Sequence, residues 1–168
     1  MTDDDALLHA RTREALVRFD VTHDVIACDP ALADTAAFVE AYGVPLDRSA
    51  NTIVVVSKGA EPRYAACVLL ATTSLDVNSA VRGEMGVRKA SFAAADPVRD
   101  LTGMEIGGVT PFGLPDGLPV LVDARVVQRD WVILGGGNRT SKLRIDPAAL
   151  RVLPSVRVIE GLAVDRRT

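Results

Sequence analysis

Two cysteines, two histidines, three lysines and one loop dense in glycine and proline are the groups in this 168-residue chain that invite a chemical reading. Cys28 and Cys67 lie 39 positions apart, outside any C-x-x-C pair, and His9 and His23 keep no metal-ligand spacing with them. Two free thiols are expected, with no metal site and no cofactor. A Cys28–His23 pair is the nucleophilic alternative, but nearness in sequence is not the geometry a nucleophile needs. No G-x-S-x-G turn occurs, and both histidines are remote from the serine-rich turns. Asp123 and Asp130 straddle a turn with no apolar setting to raise either pKa. In "GGGNRTSK", residues 135–142, Ser141 stands where a Walker loop needs glycine, and Thr140 where a dinucleotide fingerprint needs its third glycine. Gly135, Gly136 and Gly137 therefore read either as a strand-to-strand turn or as bare backbone that a ligand approaches.

The stretch "GGVTPFGLPDGLP", residues 107–119, holds four glycines and three prolines in thirteen positions. It suits neither a helix nor a strand. It is a surface loop or a rigid backbone wall, and composition does not choose between them.

The formal charge of −3 argues against a protein that coats nucleic acid, but the charge is uneven. Residues 1–50 carry −6 and residues 51–168 carry +3, with Arg125, Arg129, Arg139, Lys142 and Arg144 close together in the basic part. Such a cluster either meets phosphates locally or forms a solvated arginine-rich surface. The N-terminus is acidic where a secretory signal is basic, and no apolar window of about 18 residues occurs. A cytoplasmic protein without membrane contact is expected.

The elements that must position these groups follow from periodicity. Asp3–Asp5 followed by "ALLHARTREALVRF" predicts one capped amphipathic helix, with Leu7, Leu8, Ala15, Leu16 and Phe19 on a shared stripe. "VTHDVIAC" predicts a strand, and Asp29-Pro30 opens a second helix that runs to the stop at Gly43. "TIVVVS" and "YAACVLLA" read as consecutive strands, residues 75–84 as a helix, "VRKASFA" as a strand and residues 94–101 as a short helix. "PVLVDARV", "DWVILGGG" and "SKLRID" predict three strands, "PAALRVL" a helical turn, and "VRVIEGLA" a strand that closes the sheet. Strands and helices mix without strict βαβ alternation, which favours an α+β single domain over a doubly wound sheet.

Taken in order, "SANTIVVV", "YAACVLLATTSLDVN", "MGVRKASFA", "LTGMEIGGVTPFG", "LPVLVDARV" and "DWVILGGGNRTSKLRI" resemble the YbaK/EbsC family. These are aminoacyl-tRNA deacylases related to the editing domain inserted in bacterial prolyl-tRNA synthetases. The resemblance runs from about Val21 to Leu162, and its most specific element, "LTGMEIGGVTPFG", matches L-T-G…G-G-[IV]-[ST]-P-x-G. It implies a mixed, mostly antiparallel, partly barrel-like sheet flanked by helices. Residues 1–20 would be an N-terminal helix packed on an editing domain of residues 21–168.

The implied activity is hydrolysis of the ester between a small, wrongly attached amino acid and tRNA. The implied partners are the tRNA acceptor end and an aminoacyl-tRNA synthetase. The resemblance places Gly107, Gly108, Val109, Thr110, Pro111, Phe112 and Gly113 along the aminoacyl group, with backbone N–H groups of Gly108 and Gly113 at the developing oxyanion. Gly135, Gly136 and Gly137 would border the pocket beside Thr52, and Arg139 and Lys142 would meet acceptor-end phosphates. Asp123 would face the substrate amino group or cap the next turn; Lys89 matches a basic family position or serves structure; Cys28 lines the pocket floor or packs.

An aminoacyl ester is already activated, so orientation of a water or ribose hydroxyl and oxyanion stabilisation suffice without a protein nucleophile. Pocket discrimination of one methylene is worth only about 1–3 kcal/mol, which is where a separate hydrolytic sieve is useful. The departure is Asn51, which stands where the family places a lysine at the start of K-[TN]-[LI]-[VIL]. A neutral amide replaces a full charge, and charge-assisted hydrogen bonds are roughly twice as strong as neutral ones. A deacylase with altered specificity and a binder of the aminoacyl end with little turnover both follow from that change.

Overall fold

The computed structural model describes residues 3–166; Met1, Thr2 and the last two residues, which bound the expected N-terminal helix and domain, lie outside the described residues. The expected first helix is two pieces. A 3-10 helix, Asp3–Leu7, ends before His9, and α1 (Ala10–Arg18) starts after it. His9 has extended backbone and its Nδ1 accepts from the Arg11 N–H at 3.1 Å, so histidine rather than aspartate caps α1. Of the expected stripe, Leu8, Ala15 and Leu16 are buried in the main core and Phe19 packs against it, whereas Leu7 ends the 3-10 helix half-buried and outside that core.

β1 (His23–Ala27) follows, then a 3-10 turn Pro30–Leu32 and α2 (Thr35–Tyr42), which ends at left-handed Gly43. One continuous helix was expected here. The chain breaks at Asp34, whose extended backbone restarts the helix at Thr35. After a 3-10 turn, Leu46–Arg48, the long hairpin β2 (Ala50–Ser57) and β3 (Tyr64–Leu70) forms in the register Asn51↔Leu69, Ile53↔Cys67, Val55↔Ala65. Val, Ile and Leu on both faces suit a strand pair covered on both sides. Residues 75–84 are helical only in part: β4 (Thr73–Leu75) takes their start, followed by a π-helical turn Val77–Val81 and α3 (Arg82–Met85).

β5 (Ala90–Phe92) and α4 (Ala95–Thr102) fall where their patterns place them. Beyond the glycine–proline loop, β6 (Val120–Asp123) stops three residues earlier than "PVLVDARV" suggests, because the Asp123 carboxylate accepts from the Arg125 N–H and starts α5 (Ala124–Val127). β7 (Val132–Gly135), β8 (Ser141–Ile145), a 3-10 helix Pro147–Val152, β9 (Val156–Ile159) and β10 (Ala163–Asp165) complete the chain.

The strands form a five-stranded sheet β5-β2-β3-β6-β9, an antiparallel sheet β1-β8-β7 and the pair β10-β4. Among the strand pairs of the described residues only β3–β6 and β6–β9 are parallel, so the α+β fold is mixed and mostly antiparallel. It does not close into a barrel; the two larger sheets meet at a single bridge, Ser49↔Ile133. β9 adds to the edge of the large sheet and β10 pairs with β4, so "VRVIEGLA" supplies two strands instead of one closing strand. The main core fills the space between the sheets with Ala66, Val68, Leu70, Val120 and Val122 from one and Val132, Leu134, Leu143 and Ile145 from the other.

Candidate functional site

At the edge of β2 the ladder is incomplete. β5 pairs with β2 only from Val55 to Ser57, and the bridge to β7 is at Ser49, which leaves the intervening edge without a strand. In an antiparallel strand successive residues bond alternate neighbours. Ser57 N–H reaches the Arg63 carbonyl and Ser49 C=O accepts from Ala71, both on the β3 side, whereas Val54 C=O accepts from Ala93 on the other. Thr52 therefore turns its N–H and C=O to the open edge.

A pocket of about 240 Å³ occupies that edge. Its walls come from five regions: Ser49 and Ala50–Val54 of β2, Asp34, Thr35 and Phe38 of α2 and its start, Ala93 after β5 with Val98 of α4, Gly107 and Val109 of the loop, and Ile133–Gly135 with Lys142 of the second sheet. Of the residues expected from sequence, the structure brings together Asn51, Thr52, Gly107, Val109, Gly135 and Lys142.

Thr35 Oγ1 donates to Asn51 Oδ1 at 2.5 Å, which fixes the amide with Nδ2 as its remaining donor. That Nδ2 has no protein partner among the described residues. Thr52 Oγ1 is buried and likewise without a partner among them. Lys142, expected on the surface among phosphates, is 6% exposed. Its Nζ donates to Ala33 O at 2.7 Å and Gly107 O at 3.0 Å and lies 5.3 Å from the Phe38 ring centroid. An ammonium has three N–H donors, so one remains for the pocket. Burial lowers the Lys142 pKa from its ordinary value, Cys28 opposes this, Arg139 adds to it and Asp34 opposes it.

The other expected residues serve elsewhere. Arg139 is no free phosphate ligand: its guanidinium donates to Pro30 O at 2.8 and 3.1 Å, to Asp34 Oδ1 at 3.1 Å and to Ile106 O at 3.0 Å, clamping the loop to the start of α2. The rest of the expected basic cluster is also committed, Arg125 to Asp165, Arg129 to Asp47, and Arg144 over the Trp131 ring. Asp123 is 1% exposed and lies outside the pocket lining; its second oxygen accepts from the Ala163 N–H at 2.8 Å, so capping is its structural role.

Gly108 donates its N–H to Glu105 O and accepts from Gly137, which removes it as an oxyanion donor. A Cβ on Gly108 would meet Asn138 O at 2.1 Å, so glycine there serves the crossing of two loops. Gly136 and Gly137 press on Ser141, His9 and Thr12 in the same way. Thr110 and Phe112 are fully buried behind the wall. Pro111 and Gly113 line a separate groove of about 390 Å³ against α1. Cys28 donates to the Asp29 carbonyl and His23 bonds Asp5 and Val21, so no Cys–His pair forms. Burial raises the pKa of both thiols, that of Cys67 to about 12.

Sequence reasoning missed Asp34, Thr35 and Phe38. The signal was present in "ADTAAF", where an aspartate before an apolar helical run marks a start, but the stronger Asp29-Pro30 signal five residues earlier absorbed it.

The family model of the aminoacyl-tRNA editing domain matches residues 29–153. The chain is 28% identical over 141 residues to the uncharacterised protein YwhH of Bacillus subtilis (strain 168), covering 82% of this chain and 85% of that one. Among solved structures, the hypothetical protein APE2540 superposes with a TM-score of 0.80 at 23% identity over 92% of this chain and 99% of its own. A candidate trans-editing enzyme for prolyl tRNA synthetase superposes at 0.75 and 21% identity over 95% and 97%. At such identities the superpositions speak to the fold.

Proposed function

Since the chain belongs to the aminoacyl-tRNA editing domain family, we propose that it is a deacylase that hydrolyses the ester linking a small amino acid to the 3′ end of tRNA. The observation that carries this reading is the convergence of Asn51, Thr52 and Lys142 on one small pocket bounded by Gly107 and Val109. About 240 Å³ is below the roughly 300–1,000 Å³ of drug-sized sites, which suits a small aminoacyl group.

In this reading the carbonyl oxygen lies where the third Lys142 donor, the Asn51 Nδ2 and the Thr52 N–H point. Attack by a water or by the neighbouring ribose hydroxyl places negative charge on that oxygen, and fixed donors stabilise it without reorganisation. Lys142 supplies from β8 the positive charge that family members carry at the position of Asn51. Asp34, at the mouth beside Arg139, offers a carboxylate to the substrate α-ammonium.

The test is release of amino acid from a panel of tRNAs mischarged with Ala, Ser, Thr or Cys. At least one is deacylated faster than in buffer. Tight binding of aminoacyl-tRNA with no release anywhere in the panel would establish the binder instead.

A further inference from the structure

Of the basic residues expected to meet phosphate, Arg125, Arg129 and Arg139 are in ion pairs, Arg144 lies over Trp131 and Lys142 is buried against carbonyls, yet the second part of the chain keeps its positive excess. A cluster of cations without carboxylate partners among the described residues lies at the other end of β2. There a cleft of about 300 Å³ is lined by Lys58, Asn78, Arg82, Arg88, Lys89 and the β5 residues Ala90 and Ser91. No acidic residue lines it, and none of its four cations has a carboxylate partner among the described residues. The nearby Glu84 of α3 is taken by Arg157 at 3.1 Å. Backbone bonds hold the cleft in shape: Lys58 N–H donates to Lys89 O at 3.1 Å, and Arg82 Nη1 to Arg88 O at 3.2 Å.

β5 connects this cleft to the pocket. It is the outer strand of the large sheet, Ser91 lines the cleft, and Ala93, just beyond its end, lines the pocket. Between them Phe92 is 60% exposed, one of few large apolar side chains left in solvent. Phe92 pairs directly with Val55, and strand alternation puts both on the sheet face that carries Ile53 and Asn51. A bare aromatic ring between a concave cationic surface and a small pocket is the arrangement that single-stranded nucleic acid uses, with bases stacked on rings and phosphates met by cations.

We propose that the β5 edge is the docking track for the single-stranded 3′ end of an RNA, with a base stacked on Phe92 and the preceding phosphates in the cleft of Lys58, Arg82, Arg88 and Lys89. The proposal deepens the deacylase reading, in which the end of that strand carries the ester into the pocket.

Fluorescence polarisation with an uncharged RNA hairpin bearing a single-stranded 3′ CCA tests the track without any hydrolysis. The Lys58→Ala/Arg88→Ala/Lys89→Ala variant binds at least tenfold more weakly, with a salt slope shallower by about 2, since each phosphate contact on a single strand contributes about 0.7. Phe92→Ala loses about tenfold. A blunt hairpin binds the wild type more weakly than the tailed one. Unchanged affinity and salt slope in the triple variant overturn the proposal. So does capture of phosphatidylserine vesicles with no hairpin binding. Both variants melt with the wild type because the altered side chains are exposed. A wild type that binds the hairpin but hydrolyses no aminoacyl ester overturns the deacylase reading and leaves the track standing.

Discussion

Asn51 on β2 and Lys142 on β8 face one pocket from two different sheets. Asn51 does not leave the pocket without a charge, because the Lys142 ammonium enters from the opposite wall. Lys142→Met keeps the stem beside Phe38 and removes the charge. The expected result is a fall of about 10²–10³ in kcat/KM for deacylation, the size of one oxyanion donor, with near-UV dichroism retained. Lys142→Arg does not rescue, since a planar guanidinium cannot replace a compact ammonium held between the Ala33 and Gly107 carbonyls. Asn51→Lys puts two ammonium groups in one pocket, so it lowers activity and melting temperature; a gain of activity would show that Lys142 is not the working cation.

Thr52→Val separates stability from function. Its Oγ1 is buried without a partner among the described residues, a condition that costs free energy in the folded state. Valine removes that hydroxyl at constant shape, so urea unfolding should show a gain of about 1 kcal/mol. If the hydroxyl meets substrate, KM rises in the same variant. A gain in stability with unchanged kinetics assigns Thr52 to packing alone.

The hairpin, the helix after β5 and the family resemblance were legible in the sequence because continuous apolar runs rich in β-branched residues, a short helical pattern and a long ordered motif survive any packing. The pocket was legible only in part. Asn51 and Thr52 were found because they begin a readable strand, but Lys142 was expected on the surface, and nothing in "SKLRI" tells that its lysine turns inward. That depends on the β1–β8–β7 sheet meeting α2, a long-range contact. The glycines of the loop were read as backbone bared for substrate, whereas Gly108 and Gly137 are bared for each other, Gly137 N–H donating to Gly108 O at 2.6 Å. A sequence marks glycine as needed and leaves open what approaches it.

Gly108→Ala is therefore a stability variant first. Its Cβ would meet backbone of Asn138, which cannot swing aside, so overpacking of about 1–3 kcal/mol is expected in chemical unfolding. Gly117 provides the control. It has φ +84° and nothing within 4 Å of a built Cβ, so Gly117→Ala costs only the left-handed backbone penalty, about 1 kcal/mol. The wider the gap between the two, the more firmly the 107–113 and 135–138 segments are one packed unit; equal costs would show that the Asn138 turn yields.

Stability against alkaline pH carries two opposing signals. Lys142 has a folded pKa below its unfolded value of 10.5, so from the folded pKa up to 10.5 the unfolded chain binds more protons and stability rises with pH. Wild type should gain on Lys142→Met across that window and stay parallel to it below. Cys67 acts in the reverse sense. Its folded pKa is about 12 against an ordinary 9.0, so between those values the unfolded thiol ionises while the folded one keeps its proton. Stability then falls with pH, by at most about 1.4 kcal/mol per pH unit for this group. Cys67→Ala is less stable at neutral pH because it leaves a cavity in the core, yet it loses that slope, and the difference from wild type narrows from pH 9 upward. The same burial predicts that iodoacetamide at pH 8 labels Cys67 only under unfolding conditions. Rapid labelling of the native protein at Cys67 would contradict its burial in the apolar cluster it shares with Val55, Ala65 and Leu121.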